Sequence, residues 1–312
     1  MTINPEISII VPTYCRPALL AKALRSVRAQ SYQNYECIVV NDCPEGWDDV
    51  CKVVRDVGDA RFRSTSNPCH VGACASRNAG VYGSSGRIIA FLDDDDWWHP
   101  QKLEKHYAKH CAGSPGSLVY SSIIRVWDRD VIRPWPLDAV SIEGDAEAAL
   151  WSGRLFPFTT SAFTVDRESF RNVGGFDDHL VGAQDWDLWV RLAKQNKFIC
   201  IEEQLCYFLQ HAGARLSTSM NLRYEALQQL EQKYGGRQEF PELKRRIIMH
   251  IELGAMERSA LKRDIKGMIS AVRALFKEFR VGLWLMSILP MCVLLLSKSM
   301  YDGYRHLRHQ SY

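Results

Sequence analysis

The stretch IIAFLDDDD, residues 88–96, decides the fold. Its apolar run is short enough for a buried strand, and four aspartates follow the run without a break. Like charges at a strand terminus repel one another, and no helix dipole relieves them there. Mg²⁺ and Mn²⁺ prefer carboxylate oxygens, so the stretch predicts a metal site beyond a buried strand. The alternative is a solvated acidic turn, the usual meaning of a charge run taken alone.

Upstream of this stretch, short apolar runs alternate with segments of helical spacing. Strands are predicted at residues 7–11, 37–40, 61–65 and 87–92, and helices at residues 18–30, 48–57 and 72–82. Such alternation predicts an α/β fold with a mostly parallel sheet and helices on both faces. Ligands bind beyond the carboxyl ends of the strands in these sheets, where Pro12, Asp42 and Asp93 fall.

Downstream of the stretch the regular alternation is lost. Strands are predicted at residues 117–120, 123–127, 159–165 and 198–209, and helices at residues 167–172, 185–195, 223–234 and 241–279. We expect a smaller mixed sheet here, followed by helices whose apolar residues recur every three or four positions. The predicted organisation is a catalytic domain at 1–219, a helical extension at 220–280 and a separate C-terminal segment at 281–312.

Composition excludes several classes of protein. The chain has 312 residues, 46% of them hydrophobic, which is ample for a packed core. Its net charge of +3 is too small to indicate a nucleic-acid partner. The ten cysteines form no CxxC pair, so we expect reduced thiols that are mostly buried. No leader pattern opens the chain, and a cytoplasmic location is therefore expected.

The motifs occur in an order that resembles the family-2 glycosyltransferases, inverting enzymes with the GT-A fold. The pieces are IVPTY at 10–14 with Arg16, ECIVVND at 36–42, SRNAG at 76–80, FLDDDDW at 91–97, GGFD at 174–177 and QDWDLW at 184–189. The resemblance covers about residues 6–219. It implies a Rossmann-like, mostly parallel central sheet with a small mixed sheet, to which this chain adds a C-terminal helical extension.

The resemblance also implies a binding site for a nucleotide-sugar donor, most readily a UDP-sugar. Asp42 would accept a hydrogen bond from the imide of the base, Arg77 would orient Asp42 and the nucleotide, and Asp93 would face the ribose. Asp94 is ambiguous because a run of four aspartates permits a register shift. The implied donor-binding residues are Pro12, Thr13, Tyr14, Arg16, Asp42, Arg77, Asp93 and Asp94.

The same resemblance places a divalent cation, Mn²⁺ or Mg²⁺, on Asp95 and His211. The cation would neutralise the charge that gathers on the departing nucleoside diphosphate. Asp185 matches the general base that takes the proton of the acceptor hydroxyl. Two alternatives remain open: His211 as a structural histidine, and Asp185 as a helix N-cap.

Three departures from the family pattern keep rival functions open. Cys15 replaces an asparagine, Cys43 and Pro44 replace Gly-Ser, and Gln184 replaces a glutamate beside the base. One rival is therefore a catalytically silent nucleotide-sugar-binding or scaffold protein with the same fold. A second rival, a nucleotidyltransferase, should carry a glycine-rich loop after the first strand, and residues 12–16 do not form one.

The C-terminal segment carries an uncharged apolar run at residues 281–296, interrupted by Pro290. Sixteen residues are short of the ~20 that a spanning helix needs. Basic and tyrosine side chains follow, a mixture suited to an anionic membrane surface. Three roles are open: contact with the cytoplasmic membrane face, packing on the catalytic domain, and oligomerisation. The expected acceptor is a glycan or a lipid-linked glycan.

Overall fold

The computed structural model describes residues 4–114, 116–127, 131–134, 146–152, 159–210, 219–261, 267 and 269–270. The chain forms two compact units, Met1–Arg215 and Leu216–Tyr312. Residues 281–312, which include the predicted apolar run, lie outside the described residues.

The first unit begins with the predicted alternation of strands and helices. Every predicted strand and helix of residues 7–92 is present, with bounds shifted by a few residues. The elements are β1 (Ile7–Thr13), α1 (Pro17–Arg28), β2 (Tyr35–Asn41), α2 (Trp47–Val57), β3 (Phe62–Ser66), α3 (Ala73–Tyr82) and β4 (Ile88–Phe91).

The second half of this unit carries shorter helices and longer strands. Its elements are β5 (Trp97–Trp98), α4 (Lys102–Ala112), β6 (Leu118–Trp127), β7 (Val131–Pro134), α5 (Ala146–Trp151), β8 (Phe163–Asp166), α6 (Arg167–Asn172), α7 (Gln184–Ala193) and β9 (Phe198–Gln210). The two strands predicted at 117–120 and 123–127 are one strand, β6, whose pairing with β9 shifts register around Ser121 and Ser122. Helices α4 and α5 and strands β5 and β7 were not predicted.

The described strands form one continuous sheet in the order β3-β2-β1-β4-β8-β6-β9-β5, with β7 paired to β6. Strands β3, β2, β1 and β4 are mutually parallel, as expected. The mixed part is joined to them through β8, which runs antiparallel to β4 and to β6. The mixed strands thus extend the parallel sheet. The small mixed sheet expected for the GT-A fold is therefore part of one curled sheet.

Close packing of α3 on the sheet fixes the position of the site. All residues of β1 and β4 are buried, as expected for strands covered on both faces. A Cβ atom at Gly80 of α3 would lie 2.4 Å from a methyl group of Ile10, so only glycine permits this approach. The helix that carries Arg77 is therefore held directly against the central strand.

The second unit contains the helices α8 (Met220–Tyr234) and α9 (Phe240–Leu261). Tyr224 near the start of α8 donates to Glu252 at 2.5 Å, and Lys244 near the start of α9 binds Glu231 at 2.7 Å. These contacts define an antiparallel helix pair. In the part of the chain that the structure describes, no helix has the length and apolar character needed to cross a membrane.

Candidate active site

The site lies where β1, β2 and β4 end side by side. Thr13 is paired with Asn41, and Ile10 with Phe91, so the residues that follow each strand meet at one edge of the sheet. Tyr14, Asp42 and Asp93 follow these three strands, as the sequence predicted.

Asp42 is buried, and both of its carboxylate oxygens accept hydrogen bonds. Its Oδ1 accepts from Asn67 Nδ2 and the Val71 amide, each at 2.9 Å. Its Oδ2 accepts from the Gly72 amide at 2.9 Å and lies 2.8 Å from His70 Nδ1. Burial opposes ionisation of Asp42, but these hydrogen bonds outweigh it and hold the pKa of the carboxyl below its usual value.

Gly72 shapes the loop that delivers those amides. Its φ of 91° lies in the region that glycine tolerates, and it is the residue immediately before α3. Two backbone N–H groups at the start of α3 consequently point at one carboxylate, a favourable place for negative charge.

Arg77 is buried and forms an ion pair with Asp93, with 2.5 Å between Nη2 and Oδ1. Its guanidinium carbon lies 5.3 Å from the ring centroid of Phe176. Arg77 Nε is buried and has no hydrogen-bond partner among the described residues. The sequence predicted that Arg77 orients Asp42, but its observed partner is Asp93. The guanidinium thus holds Asp93, the first aspartate of residues 93–96, which we call the acidic turn.

Asp94 and Asp96 are both turned into the protein. Asp94 accepts from Thr13 Oγ1 at 2.7 Å and forms an ion pair with Arg16 at 2.5 Å. Asp96 accepts from Ser161 Oγ at 2.6 Å and from the Leu209 amide at 3.2 Å. Burial raises the pKa of Asp94 to about 6, although Arg16 and Thr13 favour its charged form. Through these hydrogen bonds the two carboxylates fix the turn to β1, to β9 and to the segment before β8.

Arg16 spans the acidic turn, since it also reaches Asp95, with 3.2 Å between Nη1 and Oδ2. Thr13 and Arg16, both predicted to bind the donor, thus contact the acidic turn directly. Pro12 and Thr13 are buried in β1, whereas the Tyr14 side chain is exposed. Contact of any of these residues with a donor stays a prediction.

Asp185 lies in the first turn of α7, whose N-cap position is Ala183 rather than Asp185. The carboxylate accepts from the Trp186 amide at 2.8 Å. Burial raises the pKa of Asp185, and the nearby charges of Arg77 and Asp93 also act on it. The beginning of α7 is therefore within electrostatic range of the acidic turn. The Gln184 side chain donates to the Leu180 carbonyl at 2.6 Å and is thus held by the segment that precedes α7.

The expectation that the cysteines are reduced is wrong for one pair. Cys15 and Cys43 form a disulfide, with their Cα atoms 5.8 Å apart. Each lies two residues beyond the paired residues Thr13 and Asn41, so neighbouring strands deliver the two thiols to the same place. The sequence separation of 28 conceals this proximity. The disulfide joins the loops that carry Tyr14 and Asp42.

The site residues that the sequence missed are polar partners of the predicted ones. Ser161 binds Asp96 and also accepts from the Asp93 amide at 3.0 Å. Asn67 carries no signal beyond its place in the family motif, and His70 carries none beyond its place between Asn67 and Gly72. His211 lies outside the described residues, so its predicted metal role stays a prediction. Within the described ranges no group of three or more His, Cys, Asp or Glu side chains is gathered as a metal cage.

The model of the family described as Glycosyl transferase family 2 matches residues 8–174. The chain belongs to this family. Its helical second unit, α8 and α9, lies beyond the matched region.

Several known bacterial glycosyltransferases are similar to this chain. WcaA of Escherichia coli, assigned to colanic acid biosynthesis, is 40% identical over 100 residues, which are 32% of this chain and only 36% of that protein. The amylovoran biosynthesis glycosyltransferase AmsB of Erwinia amylovora is 25% identical over 68% of this chain and 75% of its own length. A third relative is the GalNAc(5)-diNAcBac-PP-undecaprenol β-1,3-glucosyltransferase of Campylobacter jejuni, 27% identical over 62% of each chain.

Two solved structures share the fold. TarS of S. aureus, solved with UDP-GlcNAc, superposes with a TM-score of 0.59 at 15% identity, over 96% of this chain and 92% of that one. The mannosyltransferase PcManGT of Pyrobaculum calidifontis, solved with GDP-Man and Mn²⁺, gives 0.58 at 18% identity, over 98% and 84%. The chain is thus a family-2 glycosyltransferase with the GT-A fold.

Proposed function

We propose that this glycosyltransferase is an inverting, metal-dependent enzyme that moves a sugar from a UDP-sugar to a hydroxyl of a glycan or lipid-linked glycan. The observation that carries the proposal is the place of Asp185 in the first turn of α7, near enough to Arg77 and Asp93 for their charges to shift its pKa in opposite directions. A candidate base thus lies within electrostatic range of the candidate leaving-group site.

The donor would be held by the loops beyond β1 and β2. Asp42 is held ionised and is suited to accept an N–H from a nucleobase. Tyr14 offers an exposed ring beside it for stacking. Asp93, fixed by Arg77, has a partly exposed carboxylate that can accept hydrogen bonds from ribose hydroxyls.

The acidic turn fits a divalent cation bound mainly through its substrate. Asp94 and Asp96 bind protein partners, and Asp93 is paired with Arg77. The family motif assigns the metal to Asp95, whose carboxylate Arg16 also contacts. Mg²⁺ and Mn²⁺ are commonly held by one or two carboxylates together with phosphate oxygens, so a three-ligand protein cage is unnecessary. Mn²⁺ or Mg²⁺, held by Asp95 with His211, would supply positive charge to the leaving diphosphate.

Asp185 would act on the acceptor. In a single displacement the acceptor oxygen forms a bond to the anomeric carbon as the bond to the diphosphate breaks. Asp185 would take the hydroxyl proton, and configuration at the anomeric carbon would invert. Its hydrogen bond from the Trp186 amide fixes one carboxylate oxygen, which orients the other.

The proposed acceptor class follows from the relatives. The name of the Campylobacter jejuni relative contains an undecaprenol diphosphate-linked glycan, while WcaA and AmsB are named for the biosynthesis of colanic acid and of amylovoran. A lipid-linked acceptor suits an enzyme that docks on the cytoplasmic membrane face through residues 281–312.

The test combines a donor screen with product stereochemistry. The wild-type protein is incubated with UDP-, GDP- and dTDP-sugars, Mn²⁺ or Mg²⁺, and undecaprenol diphosphate-linked acceptors, and NMR determines the anomeric configuration of the product. We expect one UDP-sugar to be consumed with inversion. Retention of configuration, or nucleotide binding without any turnover across the screen, would contradict the proposal.

A further inference from the structure

Four groups already surround the carboxylate of Asp42 in this structure. Asn67, Val71 and Gly72 donate hydrogen bonds to it, and His70 Nδ1 lies 2.8 Å from its Oδ2. A carboxylate has about four acceptor positions, so a nucleobase that donates to Asp42 must take the place of one of these groups.

His70 is the partner that can leave. The Val71 and Gly72 donors are backbone amides fixed by the start of α3. The Asn67 amide is also tied to Ser76 Oγ at 2.8 Å. The His70 side chain is 61% exposed, and rotation about its side-chain bonds would release Asp42 without moving the backbone.

His70 also lies against the second surface that a base would use. Its ring centroid is 4.6 Å from that of Tyr14, at an interplanar angle of 49°. His70 thus presents a planar ring to Tyr14 and a ring nitrogen, Nδ1, to Asp42. A nucleobase bound as proposed would offer the same two features.

We propose that His70 occupies the base position of the nucleotide-free enzyme and must leave Asp42 before the donor base binds. His70 is then a residue that sets donor affinity, and this inference rests on the proposed function. A site open for only a fraction of the time has its dissociation constant raised by the reciprocal of that fraction. Removal of the His70 side chain should accordingly strengthen nucleotide binding.

The test is calorimetric titration of the full-length protein with UDP, GDP, CDP and dTDP. His70→Ala should bind its nucleotide about threefold to tenfold more tightly than wild type, the scale of one displaced polar contact. His70→Phe keeps a ring beside Tyr14 but loses the nitrogen beside Asp42, so its affinity should lie between those of wild type and His70→Ala. The control is His179→Ala, which removes another exposed histidine and should leave affinity unchanged.

Asp42→Asn separates failure of this inference from failure of the proposed function. If Asp42→Asn weakens binding while His70→Ala binds no more tightly than wild type, only the role of His70 is overturned. If Asp42→Asn binds as wild type does, or if no nucleotide binds wild type or His70→Ala, the proposed base site itself is wrong. Tighter binding by His70→Ala together with weaker binding by Asp42→Asn supports both.

Discussion

Asp185 is partly buried near the cation Arg77. Desolvation and this positive charge act on its pKa in opposite directions, and their balance determines whether Asp185 can serve as a base. Burial raises its pKa, and Arg77 opposes that shift. A base works best when its pKa approaches the working pH while it remains ionised there. The N-cap alternative is not supported, because Ala183 occupies that position.

Asp185→Asn should therefore lower kcat by about 10²-fold or more, while nucleotide affinity stays near wild type. Because the pKa is raised, wild-type kcat/KM should fall with decreasing pH at values above the usual range for aspartate. The variant should lack this acid limb. Steady-state rates from pH 4 to 9 measure both effects. Asp178→Asn, an exposed aspartate upstream of α7, serves as the control, and an undiminished rate for Asp185→Asn refutes the assignment.

Asp95→Asn tests the metal assignment at the neighbouring turn. Loss of a carboxylate ligand should weaken activation by Mn²⁺ or Mg²⁺, and kcat/KM at fixed metal should fall at least tenfold. Metal titrations of sugar transfer give the activation constant. Asp48→Asn removes an exposed aspartate of α2 and should change nothing. Full wild-type activity in chelator would show that the acidic turn does not act through a cation.

Some residues of the site could be predicted from the sequence and others could not, and the difference lies in their chemistry. Asp42, Arg77 and Asp93 could be singled out because charged residues at strand ends and within known motifs stand out in a sequence. His70 could not, since its role depends on one rotamer that reaches Asp42. One feature does indicate the disulfide: Cys15 and Cys43 each lie two residues beyond residues that are paired across β1 and β2.

At the level of elements, α4 shows why one helix escaped prediction. Its buried side chains are Lys102, Leu103, His106 and His110, so a mostly polar face points inward. Apolar periodicity, which revealed α1 to α3, is absent there. His106 and His110 lie 3.0 and 2.9 Å from Thr164 Oγ1, which satisfies part of this buried polar face.

Lys102 makes α4 sensitive to pH. Burial lowers the pKa of Lys102 to about 7, whereas the unfolded chain keeps this amine protonated to much higher pH. The unfolded state consequently binds more protons above pH 7, and stability rises with pH through that interval.

Lys102→Met should raise the free energy of unfolding by about 1–2 kcal/mol at pH 6 to 7, because an amine no longer has to be buried. The advantage should shrink as the pH rises towards 10, because the amine of the folded wild type is then neutral and is no longer buried as a charge. Urea unfolding across this pH range measures it. Lys109→Met, on the exposed face of α4, should show neither effect. If Lys102→Met is less stable than wild type at every pH, the contact between Lys102 Nζ and His106 Nε2, 3.2 Å apart, outweighs the cost of burial.

The disulfide between the β1 and β2 loops should contribute roughly 3 kcal/mol, as expected for a closed loop of this size. Cys15→Ala/Cys43→Ala should lose that stability, and reduction of the wild type should reproduce the loss. Thiol titration in denaturant should find two fewer free thiols than the ten cysteines. Cys69→Ala, an exposed free cysteine, is the control. Ten titrating thiols in protein prepared without reductant would contradict the pairing.

At the scale of the whole molecule, the residues predicted to bind the donor and the metal belong to a different unit from the C-terminal segment. Asp42, Arg77 and Asp95 lie in Met1–Arg215, and residues 281–312 in Leu216–Tyr312. Sequence periodicity predicted the alternating first half of the sheet well, because apolar strands covered by helices have a clear signature. It could not predict that the mixed strands extend the same sheet, because pairing such as that of β4 with β8 joins residues far apart in sequence.

Removal of residues 281–312 should release the enzyme from anionic vesicles while nucleotide affinity is retained. The uncharged run at 281–296 is short for a membrane-spanning helix. Burial of this run at the membrane interface would favour binding, and each basic residue near anionic lipid would add ~1 kcal/mol. Co-sedimentation with phosphatidylglycerol vesicles should show binding of the full chain that weakens with salt. Phosphatidylcholine vesicles should bind it less. Substitution of Lys298, Arg305 and Arg308 by serine should weaken binding without unfolding the protein. If the truncated protein unfolds and the full chain ignores vesicles, the segment packs on protein, and a lipid-linked acceptor must be reached by another surface.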